Sequence, residues 1–378
     1  MVGDGLGELV RDRSIIICCG SGGAGKTTIS AAIALAGAKA GRTTCVVTID
    51  PARRLADALG LGSLENKARK IEGDWPGELS ALMLDAKSTF DDLVRTYSGD
   101  EAQAERILSN TLYRNLTSAL SGTQEYMAAE KLYELHESGD FDLVVVDTPP
   151  TRNALDFLDA PGRLTRFLEN RVFRLLLMPG RAGVRALSVA TQALLRTIAR
   201  IAGGEIVEDA VAFFRAFEGM EQGFRDRAGR VEQLLSDPGT AFVLVATPRR
   251  DSVSEARFFS ARLAEASLPV AALVMNRVHP DFRSGDLLSS TVGAGEATDP
   301  TDAPSDPAEA RLVLDGLRKN LADLEQVVGE ERGFLRQLEQ GVQGAVVEVP
   351  FLRDDVHDLE GLALVAEYVA GQVASDRG

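Results

Sequence analysis

Apolar residues in this chain fall into short unbroken runs, many of them β-branched, separated by longer stretches of helical periodicity. Ile15–Cys19, Thr44–Ile49, Leu143–Val146, Phe242–Ala246, Val270–Met275 and Val346–Val349 are the runs. A continuous apolar run reads as a strand buried on both faces, and such strands alternating with helices read as a parallel sheet. The predicted fold class is α/β, a mainly parallel sheet covered by helices. In sheets of this kind ligands bind beyond the carboxyl ends of the strands.

Two stretches break the alternation. Residues 99–137 and 161–235 are helical in pattern with no strand between, the second interrupted at Pro179-Gly180 and Gly203-Gly204. They are expected to form an α-helical subdomain inserted into a core made of residues 1–98, 138–160, 236–283 and 340–378. Residues 284–310 are rich in Gly, Ser, Thr, Pro and Asp and read as a mobile acidic loop. A long polar helix is predicted over 307–339, with Ser305 or Asp306 as its N-cap.

Within the subdomain, Arg163 to Arg200 holds eight arginines and a single acid, Glu169. Val184, Leu187, Leu194, Leu195, Ile198 and Ile201 share one helical face, with Arg185, Gln192, Arg196 and Arg200 opposite. A basic amphipathic helix suits a membrane surface, an anionic partner or an apolar client. Its plainer reading packs the apolar face inside the subdomain and leaves the arginines to water.

Charge narrows the partners. The 378 residues carry a formal net charge of −15, which argues against nucleic acid, since a phosphate backbone needs a basic footprint. The three cysteines, Cys18, Cys19 and Cys45, lie in strand-like runs and form no CxxC pair, so they read as buried residues of a reducing compartment. Met1 to Arg13 has no apolar run of a signal peptide, and no stretch reaches the roughly 18 apolar residues of a membrane span. A cytoplasmic protein is expected, with any peripheral membrane contact made through residues 163–200. His136, His279 and His357 match no metal spacing, and Glu330, Glu331 and Glu339 read as a solvated face of the long helix.

The chemistry is carried by Gly20-Ser21-Gly22-Gly23-Ala24-Gly25-Lys26-Thr27, followed by Thr28. The loop has Walker A spacing, follows a strand and opens an Ala-rich helix, the context a P-loop nucleoside triphosphatase requires. Its glycines let backbone N–H groups turn toward phosphate oxygens, with the helix N-terminus behind them. Lys26 is expected to reach the β- and γ-phosphates of ATP and Thr27 to ligate Mg²⁺. Leu143-Val144-Val145-Val146-Asp147 reads as a Walker B strand delivering Asp147 to the metal. Thr148-Pro149-Pro150-Thr151 then makes a stiff turn suited to sensing the γ-phosphate.

The sequence resembles the family of arsenite-pump ATPases and tail-anchored-protein-targeting ATPases, from the P-loop to the C-terminal helix. Asp50-Pro51-Ala52-Arg53-Arg54-Leu55-Ala56-Asp57 is similar to the family's first switch, and Asp147-Thr148-Pro149-Pro150-Thr151 to its second. Ser121 to Met127 resembles a family helix start, Asn276 with Arg277 its adenine-reading position, and Val349-Pro350-Phe351 the loop over the base. The resemblance implies that Asp50 positions the attacking water near the metal, and that two protomers close on ATP. The dimer would join two copies, or this chain and a paralogous subunit. Three departures are visible. Ser21 stands where the family's second lysine reaches across the dimer, leaving Arg53, Arg54 and Arg152 as candidate cations. The family's thiol sets are missing, which argues against arsenite transport. The length holds one ATPase unit. The leading expectation is a Mg-dependent ATPase acting as a dimeric switch on a protein or lipid-like client. A non-catalytic ATP-binding scaffold and a small-molecule kinase are the alternatives.

Overall fold

The structure is a computed structural model that describes residues 5–50, 54–111, 113–114, 123–149, 156–169, 212–213, 216, 219–281, 307–340, 342 and 344–372. Eight strands form one sheet: β1 (Ile15–Gly20), β2 (Thr43–Thr48), β3 (Arg69–Ile71), β4 (Glu78–Met83), β5 (Leu143–Asp147), β6 (Thr240–Ala246), β7 (Val270–Val278) and β8 (Ala345–Pro350). Their order is β3-β4-β2-β5-β1-β6-β7-β8. Every neighbouring pair is parallel except β3 with β4.

Alternation along the central strands explains why both faces are covered. In β1, Ile16 and Cys18 join one apolar cluster while Ile15, Ile17 and Cys19 join the other. The first cluster packs under α1 (Gly7–Asp12), α2 (Lys26–Lys39), α3 (Arg54–Ala58) and, at the C-terminal end of the chain, a helix over Leu359–Val369. Small side chains let α2 lie against sheet and helices together: Ala31, Ala32, Ala34 and Ala38 are fully buried. The second cluster is covered by a long helix over Thr123–Ser138 and by the segments that flank β6 and β8.

Helices between β4 and β6 build a third cluster of their own. They are α4 (Ala86–Tyr97), α5 (Glu101–Leu108), α6 (Thr123–Ser138), α7 (Asp156–Glu169) and α8 (Glu221–Leu235). Leu93, Ile107, Tyr113, Met127, Met220 and Phe224 meet in it. Asp85 and Asp100 start α4 and α5 by accepting backbone N–H groups of their first turns. Of the basic segment, only its first residues fall in α7; residues 170–211, with the rest of that segment, lie outside the described residues, as do 282–306.

The chain closes with α9 (Arg250–Glu265), α10 (Pro307–Glu339) and α11 (Leu359–Val369). The last part of α10 packs on the sheet through Leu335 and Leu338, with Val328 also buried, whereas residues 311–313 and 315–324 are exposed. Two strands, β3 and β4, were not expected. Glu78-Leu79-Ser80-Ala81-Leu82-Met83 has no β-branched residue, so its strand state rests on pairing with β2 and not on propensity.

Candidate functional site

β1 delivers the phosphate-loop sequence to the carboxyl edge of the sheet, and α2 begins at Lys26. Two of its glycines are required. Gly20 sits at φ 153°, where a Cβ would strike the Val245 carbonyl of β6; Gly25 sits at φ 87°, where a Cβ would strike the Asn276 amide. Gly25 also leaves the first turn of α2 without a side-chain cap, so its N–H groups remain available to an anion. Lys26 is buried, and its Nζ donates to the carbonyls of Gly20 at 3.0 Å and Ser21 at 2.9 Å. Burial lowers the pKa of this ammonium, against the pull of Asp147. Its charge is therefore held over the loop with only neutral acceptors.

Asp147 closes β5 at 1% exposure. Its Oδ2 accepts hydrogen bonds from Thr27 Oγ1 at 2.8 Å and Thr48 Oγ1 at 2.9 Å, while Oδ1 is buried with no partner. Burial pushes this carboxyl up to about 6, although both hydroxyls and Lys26 act to lower it. Among the described residues no cluster of three or more His, Cys, Asp or Glu side chains is placed to hold a metal. One hydroxyl, one carboxylate and room for water and phosphate oxygens is the donor set that Mg²⁺ takes. The residues fit it.

Asp50 follows β2. Its N–H donates to Thr48 Oγ1 at 3.3 Å, and its carboxylate lies 3.8 Å from the guanidinium of Arg54, the first residue of α3. Thr48 thus touches both acids. Thr148 Oγ1 donates to the Cys18 carbonyl at 2.7 Å and ties the start of the second switch to β1.

Ser21 points inward. Its Oγ lies 2.7 Å from Ser252 Oγ, which in turn accepts the Thr247 N–H at 3.0 Å. At 5% exposure, position 21 is an anchor between the loop and the first turn of α9.

The end of β7 completes the edge. Asn276 Nδ2 donates to the Ala24 carbonyl at 2.9 Å, and its Oδ1 accepts the Arg277 N–H at 3.0 Å. Arg277 has φ 61°, an uncommon conformation for a side chain of its size. A cleft of about 430 Å³ opens here, lined by Gly23, Lys26, Thr27, Asp50, Arg54, Arg277 and Val356 among others. Pro350 ends β8 and Phe351 follows it; neither is among the residues that line the cleft. Phe351 N–H donates to the Val278 carbonyl at 2.8 Å, and its half-exposed ring stacks on His279 at 5.2 Å.

The structure therefore gathers Gly20, Ser21, Gly22, Gly23, Ala24, Gly25, Lys26, Thr27, Thr28, Asp50, Asp147, Asn276 and Arg277 at one sheet edge. Of the three candidate cations, Arg54 reaches the cleft, while Arg53 and Arg152 lie outside the described residues. Thr48 and Ser252 escaped the sequence reading, as did the bond that ties Thr148 to β1. Thr48 left one signal, a polar residue closing an apolar strand two positions before Asp50. Glu331 is a correction: it is buried, not solvated. Its carboxylate accepts the His279 N–H at 3.0 Å and lies 2.7 Å from that ring's Nδ1, because α10 turns this residue onto the end of β7.

Related sequences occur among known proteins. The family model described as anion-transporting ATPase matches residues 13–286. An arsenical pump-driving ATPase from Aquifex aeolicus is 22% identical over 370 residues, covering 96% of this chain and 80% of that protein. ATPase get3 from Aspergillus terreus is 30% identical over 168 residues, 43% of this chain and 48% of that protein. ATPase GET3 from Malassezia globosa is 31% identical over 153 residues, 40% and 44% respectively. The matches to the two fungal proteins thus span about half of each. With a P-loop closed on the end of its Walker B strand and a family match over most of its length, this chain belongs to the anion-transporting ATPase family and is an ATP-hydrolysing enzyme.

Proposed function

We propose that the cleft binds Mg·ATP and that its hydrolysis drives a conformational switch between two protomers. The observation that carries the reading is Asp147: one carboxylate oxygen held by Thr27 and Thr48, the other buried without a partner, beside an uncapped helix start and Lys26. Phosphate oxygens would replace the Gly20 and Ser21 carbonyls as partners of Lys26 Nζ. Thr27 and Asp147 would hold Mg²⁺, which supplies charge neutralisation on the phosphates when bound. Asp50 positions the attacking water. The water oxygen bonds to the γ-phosphorus as the bond to the β-phosphate oxygen breaks, leaving ADP and inorganic phosphate. Asn276 and Arg277 face the base side, with Pro350 and Phe351 closing over it.

Thr48 is a natural transmitter within this reading, since it touches Asp147 and the backbone of Asp50 at once. A change at the metal reaches the first switch through one hydroxyl. The partner is a second copy or a paralogous subunit, and the helical layer carries the surface for a protein or lipid-like client. A basic segment, residues 163–200, supports that surface on sequence grounds and allows a peripheral membrane contact.

Steady-state ATP hydrolysis with Mg²⁺ tests the site. Lys26→Ala and Asp50→Asn are each expected to reduce turnover by about 100-fold or more, as loss of a charge-stabilising or positioning group does. Asp50→Asn should keep ATP binding. Unchanged turnover in either variant would remove that residue from the mechanism.

A further inference from the structure

The first two-thirds of α10 poses an unanswered question. Leu312, Val313, Leu317, Leu321, Leu324 and Val327 are between 39% and 75% exposed and account for most of the large apolar side chains on the described surface. They are not scattered. Val313, Leu317, Leu321 and Leu324 follow one another at four- and three-residue spacing, and the same row continues as Val328, Glu331, Leu335 and Leu338. Those last four are buried, Leu335 and Leu338 within the apolar cluster on one face of the sheet and Glu331 on His279. One seam thus runs the whole helix, with one half packed and the other in water. An isolated helix of about 20 residues is marginal in water, and leucines along it gain nothing from exposure.

The direction of the free half is fixed. Glu331 grips His279, the residue just after β7, so it sits level with the nucleotide edge of the sheet. Residues before it extend past that edge, over a length of about 30 Å at 1.5 Å per residue from 308 to 328. The arm therefore projects on the side of the cleft. Its charges are divided. Residues 307–319 carry Arg311, Arg318 and Lys319 against Glu309 and Asp315, whereas 320–330 carry Asp323, Glu325 and Glu330 and no base. Arg318 and Asp315 pair across one turn at 3.5 Å, an exposed contact worth little.

We propose that this arm is a clasp between two copies of the chain: the two α10 arms pair antiparallel, crossing near Leu321. Antiparallel pairing sets the basic half of each against the acidic half of the other, while parallel pairing opposes like charges. Two protomers that face each other across their nucleotide edges present such arms pointing in opposite directions. The partner is thus a second copy, identified by self-complementary charge and by a seam continuous with one already packed in each protomer. The inference rests on the dimeric reading above and gives it a site.

Light scattering on the full chain, with and without Mg·ATP, tests it against Leu317→Asp/Leu321→Asp. The substituted residues are exposed, so the subunit keeps its fold, which circular dichroism and ATP binding verify. The dimer dissociation constant should rise by about 100-fold or more, from loss of four buried leucines per dimer. Oxidation provides a second measurement. Leu321→Cys should form a disulfide-linked dimer and Val313→Cys should not, because only the crossing point meets itself. The native Cys18, Cys19 and Cys45 are buried, and burial pushes all three thiols up, so they stay silent. A dimer that survives the aspartates and yields no Leu321→Cys link overturns the clasp and leaves the switch standing. Links at both positions overturn the antiparallel crossing. A monomer under every condition overturns clasp and dimeric switch together.

Discussion

Ser21 shows how one residue changes what a loop does. Its hydroxyl turns into the protein and meets Ser252, which also holds the buried Thr247 N–H. The two partners are not equivalent. Ser21→Ala removes one hydrogen bond and leaves Ser252 still bonded to Thr247, at a cost of about 1 kcal/mol. Ser252→Ala strands the Thr247 N–H and the Ser21 hydroxyl together, at about 2–4 kcal/mol by the same reasoning, since each orphaned buried group carries its own desolvation penalty. Urea midpoints at constant slope measure both. Equal losses would show that the serine pair does not anchor the loop through Ser252. The residues of this edge were largely legible, because Walker A and B spacings fix loop, lysine, hydroxyl and carboxylate relative to strands and helix. The serine pair was not. It joins positions 231 residues apart, and nothing local marks Ser252.

At the scale of elements, α6 and α8 are locked by a buried ion pair. Arg227 Nε donates to Glu130 Oε1 at 2.6 Å, and the guanidinium lies 4.0 Å from the centre of the Tyr133 ring. Burial pushes the Glu130 carboxyl up by more than Arg227 pulls it down, and its other oxygen has no partner. Glu130 is 2% exposed and Arg227 17%, so the acid suffers more when left alone. Arg227→Met is expected to cost about 3–5 kcal/mol by stranding a buried carboxylate. Glu130→Gln keeps an acceptor for the guanidinium and removes the buried charge, so it should cost less than Arg227→Met. Far-UV circular dichroism reports the helices, and fluorescence of the single tryptophan, Trp75, reports the sheet side. The helical signal should shift ahead of Trp75 in Arg227→Met, as expected where one layer opens before another. Coincident shifts, or a larger loss in Glu130→Gln, would contradict the asymmetry. Strands were read correctly where Val and Ile run unbroken and missed where neighbours decide, as in β4. The helix of Glu331 was placed correctly but its buried face was not, because periodicity gives a stripe without saying where along it the body ends.

For the whole molecule, the site is an assembly of strand ends that the ligand-free chain holds at a cost. β1, β2, β5 and β7 bring Lys26, Thr48, Asp147 and Asn276 to one edge, and the sheet behind them is too well packed to relax around an uncompensated charge. Asp147 carries that cost most plainly: its carboxyl is pushed up to about 6 although two hydroxyls and a nearby ammonium favour its charged form. Above that pH the charged side chain is less favourable in the folded protein than in the unfolded one. Replacing it by Asn keeps an acceptor for Thr27 and Thr48 and deletes the charge. Ligand-free Asp147→Asn should therefore melt no lower than wild type near pH 7.5. Function reverses the ranking. A ligand that binds only the native state stabilises by about 2.7 kcal/mol at 100 times its dissociation constant, a rise of a few degrees in a chain of this size. Wild type should show that rise with Mg·ATP and lose most of it when EDTA removes the metal, while Asp147→Asn should show little metal-dependent rise at all. A variant that melts well below wild type without ligand would mean that Asp147 is a structural acid. A variant that keeps the full Mg-dependent shift would mean that the metal is held elsewhere. The predicted crossing, equal or greater stability empty and less stabilisation loaded, is what separates a binding group from a structural one.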